Sequence, residues 1–386
     1  MLAAGLNGAL GNFRIDLTRL DATAGIVAEV IRANYPSLAV PLHARWRHFK
    51  FGTRDLWGEI AQRTAWRDAA VRARAEFDLA IVSVLLDAGA DPRWRYRDAE
   101  TGIVIGRSEG LALASLRMFA AGLFSDNPDD PLRADARRLA SLTVADLAQG
   151  FGAGPDNPFP NLEGRAALLA RLGDVIAANG AVFADAGNAR PGGLFDKLVA
   201  PGEPLAAPDA LHEVLLHLGP IWLDRLTLGE LPLGDTWRHP AIVRHDGTNG
   251  LMPLHKLAQW LTYSLIEPLQ RAGVAVTDID GLTGLAEYRN GGLFIDSGVL
   301  SLADPAQAER PHAVDSTLVV EWRALTVGLL DRLLPAVRER LGVSPASFPL
   351  GAMLEGGTWA AGRKLAAERR AGGGPPLTVV SDGTVF

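Results

Sequence analysis

The chain has 386 residues, of which 48% are hydrophobic and 21% charged, with a mean hydropathy of +0.11 and a formal net charge of −6. That composition describes a well-buried globular protein, and its acidity argues against a nucleic-acid or anionic-membrane partner. The absence of Cys excludes disulfides, thiolate catalysis, Fe–S clusters and Cys-type zinc sites.

No run of 18 apolar residues occurs, so no transmembrane helix is expected. The opening Met1–Phe13 lacks a basic segment and is broken by Gly and Asn, which reads as no signal peptide and a cytoplasmic address. Helical periodicity covers residues 13–34 and 54–86. Between them lies the basic-aromatic segment Arg45-Trp46-Arg47-His48-Phe49-Lys50-Phe51. It has two readings: a site for a phosphate or a stacked ring, and a loop whose Trp and Phe plug the core.

Asp87 closes an apolar run that turns at Asp91-Pro92. Arg107 and Ser108 stand at the entry of an apolar helix over 111–123. The polar, Pro-rich 126–136 leads to a helix near 142–150, and the Gly/Pro/Asn stretch 152–161 is the best internal boundary. An amphipathic helix follows over 162–179. His212 and His217 are five apart, not on one helix face, so they read as surface or core histidines. Arg244-His245-Asp246 sits in an irregular stretch, before a helix expected over 252–271 that carries His255, Lys256, Gln259 and Trp260.

Asp278–Leu300 is the densest segment chemically. The spacing predicts a short helix capped by Asp280 and stopped at Gly291 or Gly292, with Asp280, Thr283 and Glu287 on one face. Glu287 follows Leu285 and Ala286, so the apolar pattern pulls its carboxylate inward, where it needs a partner or a use. Arg289 is the nearest partner. A structural ion pair on a capped helix and a catalytic acid both fit. Residues 292–300 read as a short strand or hairpin arm. The longest helix, 316–341, is apolar nearly all round, yet carries Glu321 and Arg323, for which a structural pair and a functional role are both open. The glycine run at 372–374 precedes no helix and reads as a flexible link, not a phosphate loop.

No nucleophile elbow, Walker loop, dinucleotide fingerprint or metal constellation is present. What remains is carboxylates beside Arg, Lys and aromatic residues, an inventory suited to glycosyl-bond cleavage. The expected fold is mainly helical, with few short strands and an N-terminal part (1–150) wrapping a C-terminal helical core (151–386).

On these residues the chain resembles, over nearly its whole length, the uracil-catabolism proteins of the ribosylurea pathway in fungi and bacteria. The blocks that carry the likeness are Arg45–Phe49, Ser83–Ala90, Arg107–Ser115, Asn161–Arg165, Asp278–Arg289, Glu321–Val327, Leu354–Gly362, which contains Trp359, and the Asp382–Phe386 terminus. A more distant likeness is to the queuosine-nucleotide N-glycosylases of queuine salvage. Their Asp-Ile-Asp-x-Leu-Thr-x-Phe-Ala-Asp-Tyr-Arg block is similar to Asp278–Arg289, and their Tyr-Lys-Arg-Ala-Gln and Glu-Ile-Arg-Ala blocks are similar to His255–Gln259 and Glu321–Ala324. This chain differs in having Glu for the catalytic Asp and Asn-Gly-Gly after the Arg.

The resemblance implies an all-helical fold related to helix-hairpin-helix DNA glycosylases. It implies an N-glycoside hydrolase acting on a ribosylurea or 5-phosphoribosylurea type intermediate, with Glu287, Asp280 and Arg289 as catalytic residues. Substrate-binding candidates are Lys256 for a 5′-phosphate, then Gln259, His245, Asp246, Arg45, Trp46, Asp87, Ser108, Glu321, Arg323 and Trp359. No metal or cofactor is expected. The implied partners are a small nucleoside or nucleotide derivative, and a functional link to a cyclohydrolase-like protein and a uracil phosphoribosyltransferase. A metal-independent amidohydrolase and a non-catalytic intermediate-binding partner are the competing functions.

Overall fold

A computed structural model describes residues 1–87, 93–185, 188–222 and 225–380. The end of the Ser83–Ala90 block and the Asp382–Phe386 terminus lie outside the described residues. The fold is mainly helical, as expected. The principal helices are α1 (Leu20–Asn34), α2 (Ala69–Leu85), α3 (Arg107–Ala120), α4 (Leu162–Ala178), α5 (Lys256–Arg271), α6 (Tyr288–Asp296), α7 (Thr317–Leu341) and α8 (Trp359–Arg369). Among the described residues strands occur only in two-stranded pairs, none longer than three residues. No described helix is long and apolar enough to cross a membrane.

Several segment assignments change. Residues 54–86 hold a short strand and two helices, Leu56–Arg63 and Ala69–Leu85, and the helix expected over 252–271 begins at Lys256, behind the strand Leu251–Pro253. Residues 13–34 do not form one helix: Phe13–Ile15 is a strand paired antiparallel with Leu300–Leu302, and helix begins only after the Asp16 cap. The segment 292–300 is not a strand arm, because α6 runs through it to Asp296. The glycines at 291 and 292 stop nothing; they lie inside α6. A Cβ on Gly291 would come within 2.7 Å of the Trp322 indole on α7, so glycine is needed for helix approach, not termination. Gly362 on α8 is the counterpart: its Cβ would meet the Arg289 carbonyl at 2.2 Å.

The chain forms two compact units. The first draws on Met1–His43, Asp224–Gln259 and Ile279–Phe386. The second draws on Ala44–Leu223 and Trp260–Asp278. Residues 152–161 lie within the second unit, and the division passes through α5 between Gln259 and Trp260.

In the first unit α7 packs on α1 and α6, and α6 packs on α8. One apolar cluster gathers Trp237, Leu254, Ala286, Val314, Val320 and Ala324. Because Leu254 and Ala286 share it, the chain positions just after each, His255-Lys256 and Glu287, emerge from one patch of core.

In the second unit the apolar α2 and α3 pack against each other and against the turn Arg45–Phe49. Trp46 and Phe49 are buried, so these rings take the core-plug reading. Pro268 explains one contact. It has no N–H to offer the carbonyl of Ser264, and the Trp46 indole N–H donates to that oxygen at 2.7 Å.

Candidate active site

Glu287 is the N-cap of α6. Its carboxylate accepts the Arg289 backbone N–H at 2.7 Å and the Asn290 backbone N–H. Leu285 and Ala286, buried ahead of it, bring the chain in along the core, and the extended backbone at Glu287 then turns its side chain over the first helical turn. Burial pushes its pKa above the usual Glu value; the two N–H donors, then the charges of Lys256 and His43, pull the other way without cancelling it. The positive end of the helix also favours the ionised form.

The partner expected for Glu287 is different in kind. Arg289 supplies its backbone N–H, while its guanidinium lies over the Tyr288 ring and donates from Nη1 to the Gly373 carbonyl at 2.8 Å. The glycine run 372–374 is therefore tied to α6, not a loose link. Asn290 donates from Nδ2 to the Leu285 carbonyl at 3.2 Å, closing the cap from the other side.

The face shared by Asp280, Thr283 and Glu287 does not form, since helix starts only at Tyr288. Asp280 lies in a separate short turn, where Oδ2 accepts from Arg338 Nη2 at 2.6 Å and Oδ1 accepts from the Leu350 N–H at 2.7 Å. Those bonds anchor the helix that begins at Leu350. Thr283 donates its N–H to Gln259 Oε1 at 3.1 Å, so Gln259 pins the loop leading to Glu287.

Lys256 opens α5. Its backbone N–H donates to Asp235 Oδ2 at 2.9 Å, and the Asp235 carbonyl accepts the N–H groups of Leu254 and His255. Asp235 is in turn held by Arg323 through two bonds of 2.7 Å, and Arg323 Nε donates to the Ala286 carbonyl at 3.2 Å. One buried guanidinium thus fixes both the start of α5 and the residue before Glu287. His255 is left-handed at φ 48°, a strained backbone just before Lys256. Burial lowers the pKa of its imidazole.

Glu321 and Arg323 are not each other's partners. Arg323 belongs to Asp235, and Glu321 accepts the N–H groups of Asn12 and Phe13 at 3.2 and 2.9 Å and the Asn12 amide at 2.9 Å. The spacing of two along a helix puts the side chains on different faces, which is why adjacency in sequence misled.

Two further residues, Glu355 and His43, belong to this neighbourhood and were not among the sequence candidates. Glu355 sits on a π-helical turn, Leu354–Thr358, of the kind often found at functional sites. Its Oε2 lies 2.7 Å from His43 Nδ1, and Oε1 accepts from the Tyr35 hydroxyl at 3.4 Å. That turn packs on both α1 and α6. A Cβ on Gly357 would reach Val27 at 2.6 Å and one on Gly356 would reach Val40 at 2.9 Å, so the Glu-Gly-Gly triplet was the available clue to a close approach around an acid.

The remaining candidates disperse. His245 and Asp246 occupy an exposed turn closed by Asp246 on Thr248. Trp359 is half-buried beneath Arg363. In the second unit Arg45, Asp87 and Ser108 do come together: Arg45 Nη1 is 3.2 Å from Asp87 Oδ2, which accepts the Ser108 hydroxyl at 2.6 Å.

Two curated relatives align with almost the whole chain. A protein of Schizosaccharomyces pombe named urg3 is 38% identical over 390 residues, covering 98% of this chain and 93% of the relative. "Uracil catabolism protein 4" of Lachancea kluyveri is 35% identical over 418 residues, with the same coverage of both. The family model described as "protein of unknown function (DUF1688)" matches residues 1–386, and the chain belongs to that family.

Proposed function

We propose that the first unit is an N-glycosyl hydrolase centre serving uracil catabolism, with a ribosylurea or 5-phosphoribosylurea type substrate. The names of the relatives support the pathway. The observation that supports the chemistry is Glu287: a buried carboxylate aimed by two backbone N–H groups, with Lys256 and His43 as its positive neighbours. In the reaction the C1′–N bond breaks, its electron pair leaves with the urea nitrogen, and a water oxygen bonds to C1′. An ionised Glu287 stabilises the oxocarbenium charge as it develops. Lys256 binds a 5′-phosphate as a point charge. The His43–Glu355 pair is the proton-exchanging couple within the same unit, giving a proton to the departing nitrogen and recovering one from the water that bonds to C1′.

A second reading, a binding protein that carries a labile intermediate without turnover, draws on one observation. Both Glu287 oxygens already serve as cap acceptors, which is also what a structural cap does. Incubation with synthetic ribosylurea and its 5′-phosphate separates the two. Release of urea and free sugar is the expected result. Saturable binding with neither product establishes the carrier and removes the hydrolase.

A further inference from the structure

The second unit holds a charged cluster with two open valences. Arg45 is fully buried, and its guanidinium Nε donates to Ser83 Oγ at 2.7 Å. Ser83 Oγ lies 2.6 Å from Ser115 Oγ, and Ser115 donates to the Ala112 carbonyl at 2.8 Å. Nη1 serves Asp87 at 3.2 Å and His48 Nδ1 at 3.2 Å, while Trp260 lies under the plane with its centroid 5.5 Å from Cζ. The guanidinium and the carboxylate meet through one atom each. The other atoms, Arg45 Nη2 and Asp87 Oδ1, are both buried and have no hydrogen-bond partner among the described residues.

A buried donor and a buried acceptor left open together are costly, and a paired charge satisfies only part of that cost. The missing partner must present an acceptor to Nη2 and a donor to Oδ1. A carboxylate or phosphate meets the first and is repelled by Asp87; an ammonium meets the second and is repelled by Arg45. A neutral planar group with C=O next to N–H meets both. We propose that Arg45 and Asp87 form a binding site for an amide, imide or ureido group, with Ser83 and Ser108 as the side chains that hold the pair in place. This site is independent of Glu287 and of any turnover there.

The probes are uracil and N-methylurea, which carry C=O beside N–H, and 1,3-dimethyluracil, which keeps the ring and both carbonyls but has no N–H. Calorimetry on the full chain should show uracil or N-methylurea binding with a dissociation constant of about 10 mM or tighter, the range open to so small a ligand. Dimethyluracil should bind at least about tenfold more weakly, the cost of leaving Asp87 unanswered. Asp87→Asn keeps the shape; with its oxygen held by Ser108 and Arg45 it turns the open acceptor into a donor, and should weaken uracil by about tenfold or more. Its thermal midpoint is read alongside, and the ligand-side comparison on the unmodified protein does not depend on the variant folding. Equal affinity for uracil and dimethyluracil, undiminished binding by a folded Asp87→Asn, or no binding of either N–H probe overturns the proposal. Because uracil has no glycosyl bond, none of these outcomes bears on whether Glu287 is catalytic.

Discussion

Glu287 and Glu321 are both buried glutamates of the first unit, and both are met by backbone N–H groups. They differ in what else surrounds them. Glu321 is fully enclosed and joins distant pieces of chain: Asn12 supplies a backbone and a side-chain donor, Phe13 a second backbone donor, and His239 lies 3.5 Å away. Glu287 has local donors from its own helix, and the side chains whose charges act on it, Lys256 and His43, come from other elements. A carboxylate saturated by fixed donors from far along the chain is a structural tie. One held by a helix end, with cations at a distance, keeps charge that a substrate can use.

The comparison breaks most sharply at Arg323, which supports the Glu287 side through the Ala286 carbonyl and the Lys256 side through Asp235. Arg323→Met should leave Asp235 buried without its counter-charge and cost about 3–5 kcal/mol. Urea denaturation measures it, and a loss under 1 kcal/mol would mean that Lys256 and the residue before Glu287 are held by something else. Glu287→Gln keeps one cap acceptor and removes the charge. It should retain the fold, at about 1 kcal/mol for the weakened cap, and reduce kcat by about 100-fold or more. In the parent, kcat/KM should fall as pH drops through the Glu287 pKa, and since burial raises that pKa the acid limb should lie above the usual Glu value of 4.5. A folded Glu287→Gln with parental kcat would leave the cap as its whole role.

Lys256→Ala should weaken a 5′-phosphorylated substrate by about 1.5–3 kcal/mol and touch the unphosphorylated form far less, read from the two KM values. Equal losses would move the phosphate elsewhere. The smallest expected effect on chemistry belongs to Glu321→Gln. It should cost about 1–2 kcal/mol of stability through the Asn12 and Phe13 donors, with kcat within about threefold of the parent. A kcat loss matching that of Glu287→Gln would erase the contrast between the two acids.

Much of the candidate site could be read along the chain because its parts are short and local. Leu285-Ala286-Glu287 announced an inward carboxylate, and Lys256 and Gln259 stand at the first turn of the helix that Thr283 meets. The error at Asp280 has a local cause as well. Asp is a good cap for any helix that follows, but Gly281 and Gly284 weaken continuous helix, and the chain waits for Glu287. The glycine pair at 291–292 was misjudged for the opposite reason: in sequence a glycine is a stop, whereas beside Trp322 it is a place for helices to touch.

By itself the sequence determined the helical class, the long buried α7 and the inward direction of Glu287, since each follows from periodicity and caps within a few residues. Tertiary structure alone decided the partners. Asp235 meets Arg323 across 88 positions, and His43 meets Glu355 across 312. Nothing near those residues specifies the match, because a buried charge requires a partner without stating where along the chain it comes from; only the packing of α1, α6 and α7 and the π-helical turn at Glu355 brings those partners together.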